Sequence, residues 1–193
     1  MRMADATAGQ HTTAQLLGRI RGGDDGARAA LVARVEPLLR RFAHGRVPQL
    51  LRHQEDTADL VQLTWLRALD KLDSIEPREP GAFFAYLRTV LINALRESLR
   101  RNGRSPVVAG GDVQEIVESV LPAANVEPAD WIAWEQSLAM LSPAHRGLVL
   151  MRFEFGMSFA EIAAETGESP DGVRMKLNRA IARMAGAAHD DAD

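Results

Sequence analysis

The chain has 193 residues, enough for one or two small domains, and 46% of them are hydrophobic, enough to bury real cores. Cysteine is absent, which excludes disulfides, thiolate nucleophiles and cysteine-held zinc sites and fits a reducing cytoplasm. No apolar run approaches the roughly 20 residues of a membrane span, and the net charge of −3 averages over segments of opposite sign.

In chain order, nearly everything reads as helix: apolar residues recur at i, i+3 and i+4, and strand-like alternation is scarce. The start, residues 1–12, is small and polar, has no apolar core like that of a signal peptide, and is expected to be disordered. Thr13–Arg21 reads as a short amphipathic helix stopped by Gly22 and Gly23. Asp24 or Asp25 can cap the next helix, which is expected to run to about Val47. Its apolar positions are Leu31, Val35, Leu38, Leu39 and Phe42, and Pro37 can kink it. Glu55 and Asp56 favour the positive end of a following helix, which carries Leu60, Val61, Leu63, Trp65, Leu66 and Leu69. A loop over Asp73–Gly81 leads to a helix from Ala82 to about Arg101, with Phe83, Tyr86, Leu87, Val90, Leu91 and Leu95 on its apolar side.

From Asn102 to Glu127 the periodicity fails, and Gly, Pro and acids dominate, as in a flexible linker. Charge follows the same division. Residues 1–104 hold 17 Lys and Arg against 12 Asp and Glu, residues 105–137 hold six acids and no cation, and residues 138–193 hold six cations against eight acids. Such asymmetry is more informative than the net value. The predicted organisation is a front helical domain over 13–104, an acidic linker over 105–127, a back helical domain over 128–187 and an acidic tail over 188–193. A helix over Pro128–Met140 opens the back domain. Clean start signals then place three more, at Pro143–Phe155, Phe159–Thr166 and Pro170–Ala185. Ser142-Pro143 and Ser169-Pro170 each pair a cap with proline at the first helical position. Ser158 and Glu161 form a capping box.

The last two helices, joined through Gly167, have the helix-turn-helix pattern. Val173, Leu177, Ala180, Ile181 and Met184 make an inward stripe on the second of them. Its outer side presents Asp171, Arg174, Met175, Asn178 and Arg179, flanked by Lys176 and Arg183. No acid occurs between Val173 and Ala188. A helix of this kind fits a major groove, its first residues reaching base edges and its flanking cations meeting phosphates. A solvated face of a plain helical bundle would also carry Lys and Arg.

The segment LSPAHRGLVLMRFEFGMSFAEIAAETGESPDGVRMKLNRAIARM resembles region 4 of bacterial sigma factors of the extracytoplasmic-function (ECF) type. Leu141, Arg152, Gly156, Ser158, Glu161, Ile162, Ala163, Val173, Leu177, Arg179 and Ala180 match that family's pattern in order. Asp59, Leu60, Val61, Gln62 and Thr64 in DTADLVQLTWLRALDKLDSI look like region 2.2. FFAYLRTVLINALRESLRR looks like regions 2.3–2.4 through Phe83, Tyr86, Leu87, Val90, Asn93, Leu95 and Arg101. The match covers roughly two thirds of the chain. Leu63 departs from a usual Glu, Tyr86 from a frequent Trp and Glu97 from a frequent Asp. Trp131 and Trp134 map to no motif and read as helix packing.

The resemblance implies an all-α protein of two domains that binds core RNA polymerase and promoter DNA. Polymerase would be met by Asp56, Asp59, Gln62, Trp65 and Arg67, although Trp65 also reads as core. The −10 element would be met by Phe83, Phe84, Tyr86, Arg88, Asn93, Arg96, Arg100 and Arg101, through stacking and nearby cations. Each of these aromatics also reads as core, and at most one or two of the three are expected to touch a base. The −35 element would be met by Arg174, Met175, Lys176, Asn178, Arg179 and Arg183. An anti-sigma factor, where the cell has one, would clamp both domains. The acidic linker would thread the polymerase's RNA path or serve only as a tether. Two alternatives from other classes stand beside this one: a helix-turn-helix regulator that acts without polymerase, and a helical adaptor that binds proteins alone. The five histidines are scattered, and no Gly-rich phosphate loop is present. No catalytic residue, metal, cofactor or small-molecule substrate is therefore expected.

Overall fold

The computed structural model describes residues 11–44, 57–75, 79–103 and 128–190, and among these the only regular structure is helical. Helix α1 (Thr13–Arg21) starts at a capping box: Thr12 accepts from the Gln15 amide, and the Gln15 side chain accepts in return from the Thr12 amide at 2.9 Å. It ends where expected, at Gly22, and Gly23 follows with φ +82°. Asp24 caps α2 (Asp25–Ala43), accepting from the Gly26 amide at 3.0 Å. Pro37 lies inside this helix, which continues through it and buries Leu31, Val35, Leu38, Leu39 and Phe42. The helix closes at Ala43, short of the expected Val47, with the His44 amide donating to the Arg40 carbonyl.

Helix α3 (Thr57–Leu69) buries Leu60, Val61, Thr64, Trp65 and Ala68, one face at helical spacing. The Thr64 hydroxyl sits in that apolar face and donates to the Leu60 carbonyl at 2.7 Å, which satisfies it. A single 3₁₀ turn (Leu72–Ser74) follows and packs on α1. Helix α4 (Ala82–Gly103) lies along α3 and buries Phe83, Phe84, Leu87, Leu91, Ile92, Ala94 and Leu95. These four helices form the front module.

The back module begins with α5 (Pro128–Ala139) and α6 (Pro143–Val149). Ser142 caps α6 with proline at its first position, as expected. The expected unbroken helix to Phe155 is not what forms. Leu150–Glu154 is a π turn, closed by the Phe155 amide on the Leu150 carbonyl at 3.0 Å. The extra residue in that turn ends the segment with both Glu154 and Phe155 against the front module. Helices α7 (Phe159–Thr166) and α8 (Pro170–Asp190) follow, and α8 runs past the expected Ala185. The expected linker, the N-terminal residues to 10, and residues 191–193 lie outside the described residues.

The two modules share one core. Phe155 stacks on Phe42 of α2 at 4.9 Å between ring centroids and meets Phe84 of α4 edge-on at 5.0 Å. Nearby, Gly81 and Gly147 bring backbone against backbone: a β-carbon on Gly81 would fall 2.8 Å from the Gly147 Cα. Periodicity gives each module's buried face but not this pairing, which depends on side chains more than 60 residues apart.

Candidate nucleic-acid interface

The helix-turn-helix is assembled from local signals. Ser158 accepts from the Glu161 amide at 3.1 Å, and the Glu161 carboxylate accepts from the Ser158 amide at 2.7 Å. These bonds hold the Glu161 carboxyl below the usual carboxylate range. Gly167 ends α7 with φ +73°, the left-handed conformation that lets the chain turn within three residues. Ser169 then accepts from the Gly172 amide at 3.1 Å and opens α8. Val173, Leu177 and Ala180 are buried beneath α8, as the stripe predicts. Ile181, at the edge of that stripe, departs from it and is 41% exposed, and Met184 is half-buried against the core.

Away from that stripe α8 presents Arg174, Met175, Asn178 and Arg179 to solvent, and Lys176 and Arg183, also exposed, flank the stripe. Met175 is among the most exposed large apolar residues described. Arg174 pairs with Asp171 one turn earlier, and Lys176 reaches Glu168 at 2.7 Å in the preceding turn. The first pair is solvent-exposed and the second partly so, and pairs near the surface are worth at most ~1 kcal/mol, so an incoming anion can displace either acid. The cations thus surround the exposed part of α8, which is set on a turn that fixes its angle to α7.

The front module places its predicted residues differently. Phe83 and Phe84 are fully buried in the shared core. Tyr86 is half-buried, with its hydroxyl enclosed and unpartnered among the described residues, and burial, then the Asp70 charge, pushes its phenol above the ordinary range. Tyr86 and the exposed Asn93 share a surface groove of about 470 Å³ with Arg67, Asp70, Lys71, Thr89 and Val90. Arg67 also pairs with Glu97 at 2.6 Å. Arg96 is half-buried and Arg100 exposed on α4. Arg101 lies in the last turn of α4, and its side chain, like Asp56, lies outside the described residues. On α3, Asp59 and Gln62 are exposed beside Leu66, which is 59% exposed, whereas Trp65 turns inward. Gln62 and Trp65 line a second groove, about 260 Å³, between α3 and α2.

Arg88 is the exception. Its guanidinium donates to Glu154 at 2.6 Å and to Glu135, both of the back module. Burial opposes its charge, but the bonds to Glu154 and Glu135 outweigh burial and raise its pKa further. The Trp134 indole donates to the other Glu154 oxygen at 2.8 Å. A second such contact forms at Glu165, which accepts from the Thr13 amide at 2.9 Å, from the Thr13 hydroxyl and from Arg34 at 2.8 Å. Sequence reasoning missed both acids. The available signal was position: Glu165 stands three residues after Ile162, and Glu154 three after Met151, each on a buried apolar stripe where a surface acid has no place.

Among the described residues, no group of three His, Asp or Glu could hold a metal ion, and no helix is long and apolar enough to cross a membrane. The fold defines an all-helical protein of two modules, the second a helix-turn-helix with an exposed cationic helix, which is a DNA-binding architecture. Comparison with known proteins is specific. The family model for Sigma-70 region 2 matches residues 31–105, and that for Sigma-70, region 4 matches residues 132–184. The RNA polymerase sigma-E factor of Streptomyces coelicolor is 32% identical over 67% of this chain and 70% of its own length. The ECF RNA polymerase sigma factor ShbA of Streptomyces griseus is 30% identical over 86% of this chain and 90% of its own. RNA polymerase sigma factor CarQ of Myxococcus xanthus is 28% identical over 86% and 91%. The chain therefore belongs to the sigma-70 family, in its ECF group. Its general role is that of a sigma factor in transcription, with core RNA polymerase and promoter DNA as partners, and it is not an enzyme.

Proposed function

We propose that the front module docks on core RNA polymerase and opens and reads the −10 element, while the back module reads the −35 element as duplex. One observation carries the −35 half. The first three turns of α8 turn Arg174, Met175, Asn178 and Arg179 outward from a packed base of Val173, Leu177 and Ala180. Base-edge contacts belong to those four, and phosphate contacts to Lys176 and Arg183, because the former face away from the packed stripe and the latter flank it.

The −10 half is supported by the groove of Tyr86, Asn93, Arg67 and Lys71. It offers one aromatic face, an amide that can pair with a base edge, and cations for the strand's phosphates. Phe83 packs on Tyr86 beside that site, Arg96 and Arg100 add cations along α4, and Phe84, Arg88 and Arg101 complete the set that the family resemblance assigns to the −10 element. Docking on polymerase falls to the outer face of α3, where Asp59 and Gln62 flank the exposed Leu66, and Trp65, Arg67 and Asp56 complete the set that the family resemblance assigns to it. An anti-sigma partner would act by covering both faces, in the cytoplasm where the polymerase works.

The test is co-elution of the purified chain with bacterial core polymerase in size-exclusion chromatography, followed by run-off transcription from a library of promoter fragments. Promoter-specific transcripts that depend on the chain are expected. Tight duplex binding by the chain alone, with no association with core, would replace this reading with that of a regulator acting without polymerase.

A further inference from the structure

Between Asp171 and Ala180 the exposed residues of α8 are Asp171, Arg174, Met175, Lys176, Asn178 and Arg179, and Met175 alone is apolar. Its position is specific. At about 100° per residue, Met175 points about 180° away from the centre of the buried stripe of Val173, Leu177 and Ala180. It therefore stands at the crest of the helix, and it is 56% exposed. Asn178 and Arg179 follow one turn later, one on each side of the crest. One turn earlier, Asp171 is held by Arg174. Single exposed apolar residues are ordinary on a protein surface; this one occupies the place that reaches deepest when the helix enters a groove.

A recognition helix in the major groove brings its crest closest to the base edges. Those edges are mostly hydrogen-bond donors and acceptors. A thioether has no donor and is only a weak acceptor, so pressing it on a polar edge leaves that edge unpaired and costs affinity. The apolar group a base edge offers there is the thymine 5-methyl. The flexible, unbranched Met side chain suits contact with so small a group. Asn178 lies about 4.5 Å further along the helix, close to the spacing of about 3.4 Å between successive bases, and an Asn amide pairs with adenine N6 and N7.

We propose that Met175 sets specificity by packing on the 5-methyl group of a thymine in the −35 element, with Asn178 placed for adenine in the same or the adjoining base pair. This role rests on the −35 reading of α8 given above. It also defines what is rejected. Cytosine at the same place has no methyl and presents an amino group that Met175 cannot pair, so discrimination comes from a lost contact and an unsatisfied donor together.

The holoenzyme, reconstituted from the full chain and bacterial core polymerase, is titrated by fluorescence anisotropy onto a promoter fragment recovered from the transcription library. Each thymine of the −35 element, on either strand, is replaced singly by deoxyuridine, which deletes the 5-methyl and leaves base pairing unchanged. The series is repeated with Met175→Ala and with Met175→Leu. Both replacements are good helix formers, so circular dichroism should match the starting protein. At one thymine, loss of the methyl should weaken binding by the starting protein about fourfold, as removal of one buried methyl group does. Met175→Ala should show no further loss at that thymine and respond normally at the others, whereas Met175→Leu should keep the effect. A −35 element without an A·T pair, no sensitive thymine in the starting protein, or the same loss in Met175→Ala overturns the role of Met175 and leaves the −35 reading standing. Binding indifferent to every base change in the −35 element overturns that reading itself, and the role of Met175 falls with it.

Discussion

Replacing Phe155 by alanine tests whether the shared core holds in solution. The ring is completely buried, and its two aromatic neighbours, Phe42 at 4.9 Å and Phe84 at 5.0 Å, both belong to the front module. A buried Phe→Ala change costs about 3–5 kcal/mol, of which each aromatic pair accounts for about 0.5–1.5. With a urea slope of roughly 1–3 kcal/mol/M for a chain of this size, the unfolding midpoint should fall by roughly 2 M. The assay is urea unfolding followed by both tryptophan fluorescence and far-UV circular dichroism, and the two should give one coincident transition. Leu177→Ala is the reference, since Leu177 is buried within the helix-turn-helix whatever the modules do; its loss should be about 2–5 kcal/mol. If Phe155→Ala costs under about 1 kcal/mol while Leu177→Ala costs its full amount, Phe155 is not in a core, because surface changes fall near ±0.5 kcal/mol. That result, or two separate transitions, would refute the shared core.

Arg179→Ala should weaken binding to a promoter fragment recovered from the transcription library by about 1–3 kcal/mol and relax sequence preference, with the plot of log affinity against log salt little changed, read by fluorescence anisotropy; a slope flattened by about 0.9 with preference intact would instead assign it to a phosphate. Ser158→Ala should cost about 0.5–2 kcal/mol through loss of the cap. Glu161 is held below its ordinary pKa by the same box, so its contribution is present above the usual carboxylate range and is lost as pH falls through the lowered value; the wild-type advantage over Ser158→Ala in thermal melts should shrink on acidification. Tyr86 is the chain's one tyrosine, so an absorbance titration reads it alone. It should ionise above the ordinary value, and Tyr86→Phe, which deletes a buried hydroxyl with no partner among the described residues, should leave the melting midpoint unchanged or raised.

The helix-turn-helix was legible because its instructions are local. Ser158, Glu161, Gly167, Ser169 and Pro170 each act within four residues, and the structure uses every one as the spacing predicts. The same holds for α1 and for the buried stripe of α2. Errors appear where a distant contact decides. The break of the helix after Val149 into a π turn has no local signal, since nothing in LMRFE disfavours a helix; it accompanies the seating of Phe155 between α2 and α4. The aromatics of α4 were ambiguous for a related reason. Phe83, Phe84 and Tyr86 fit a base-stacking surface and a core equally well, and only the position of Phe155 sends Phe84 inward here.

The acids at 154 and 165 show the limit most clearly. Each was readable as a surface residue on an amphipathic helix, and only its register, three residues after a buried apolar side chain, argued otherwise. An acid in that register is tolerated only when a cation and further donors are already there. Those groups come from Arg88 and Arg34, 66 and 131 residues away in sequence. Composition points the same way once the pairing is known. The front module carries the cation excess and the back module its buried acids, so the two modules attract each other. Salt screens shielded pairs such as Arg88–Glu154 and Arg34–Glu165 less than exposed ones, so added salt should leave the contact between the two modules largely intact.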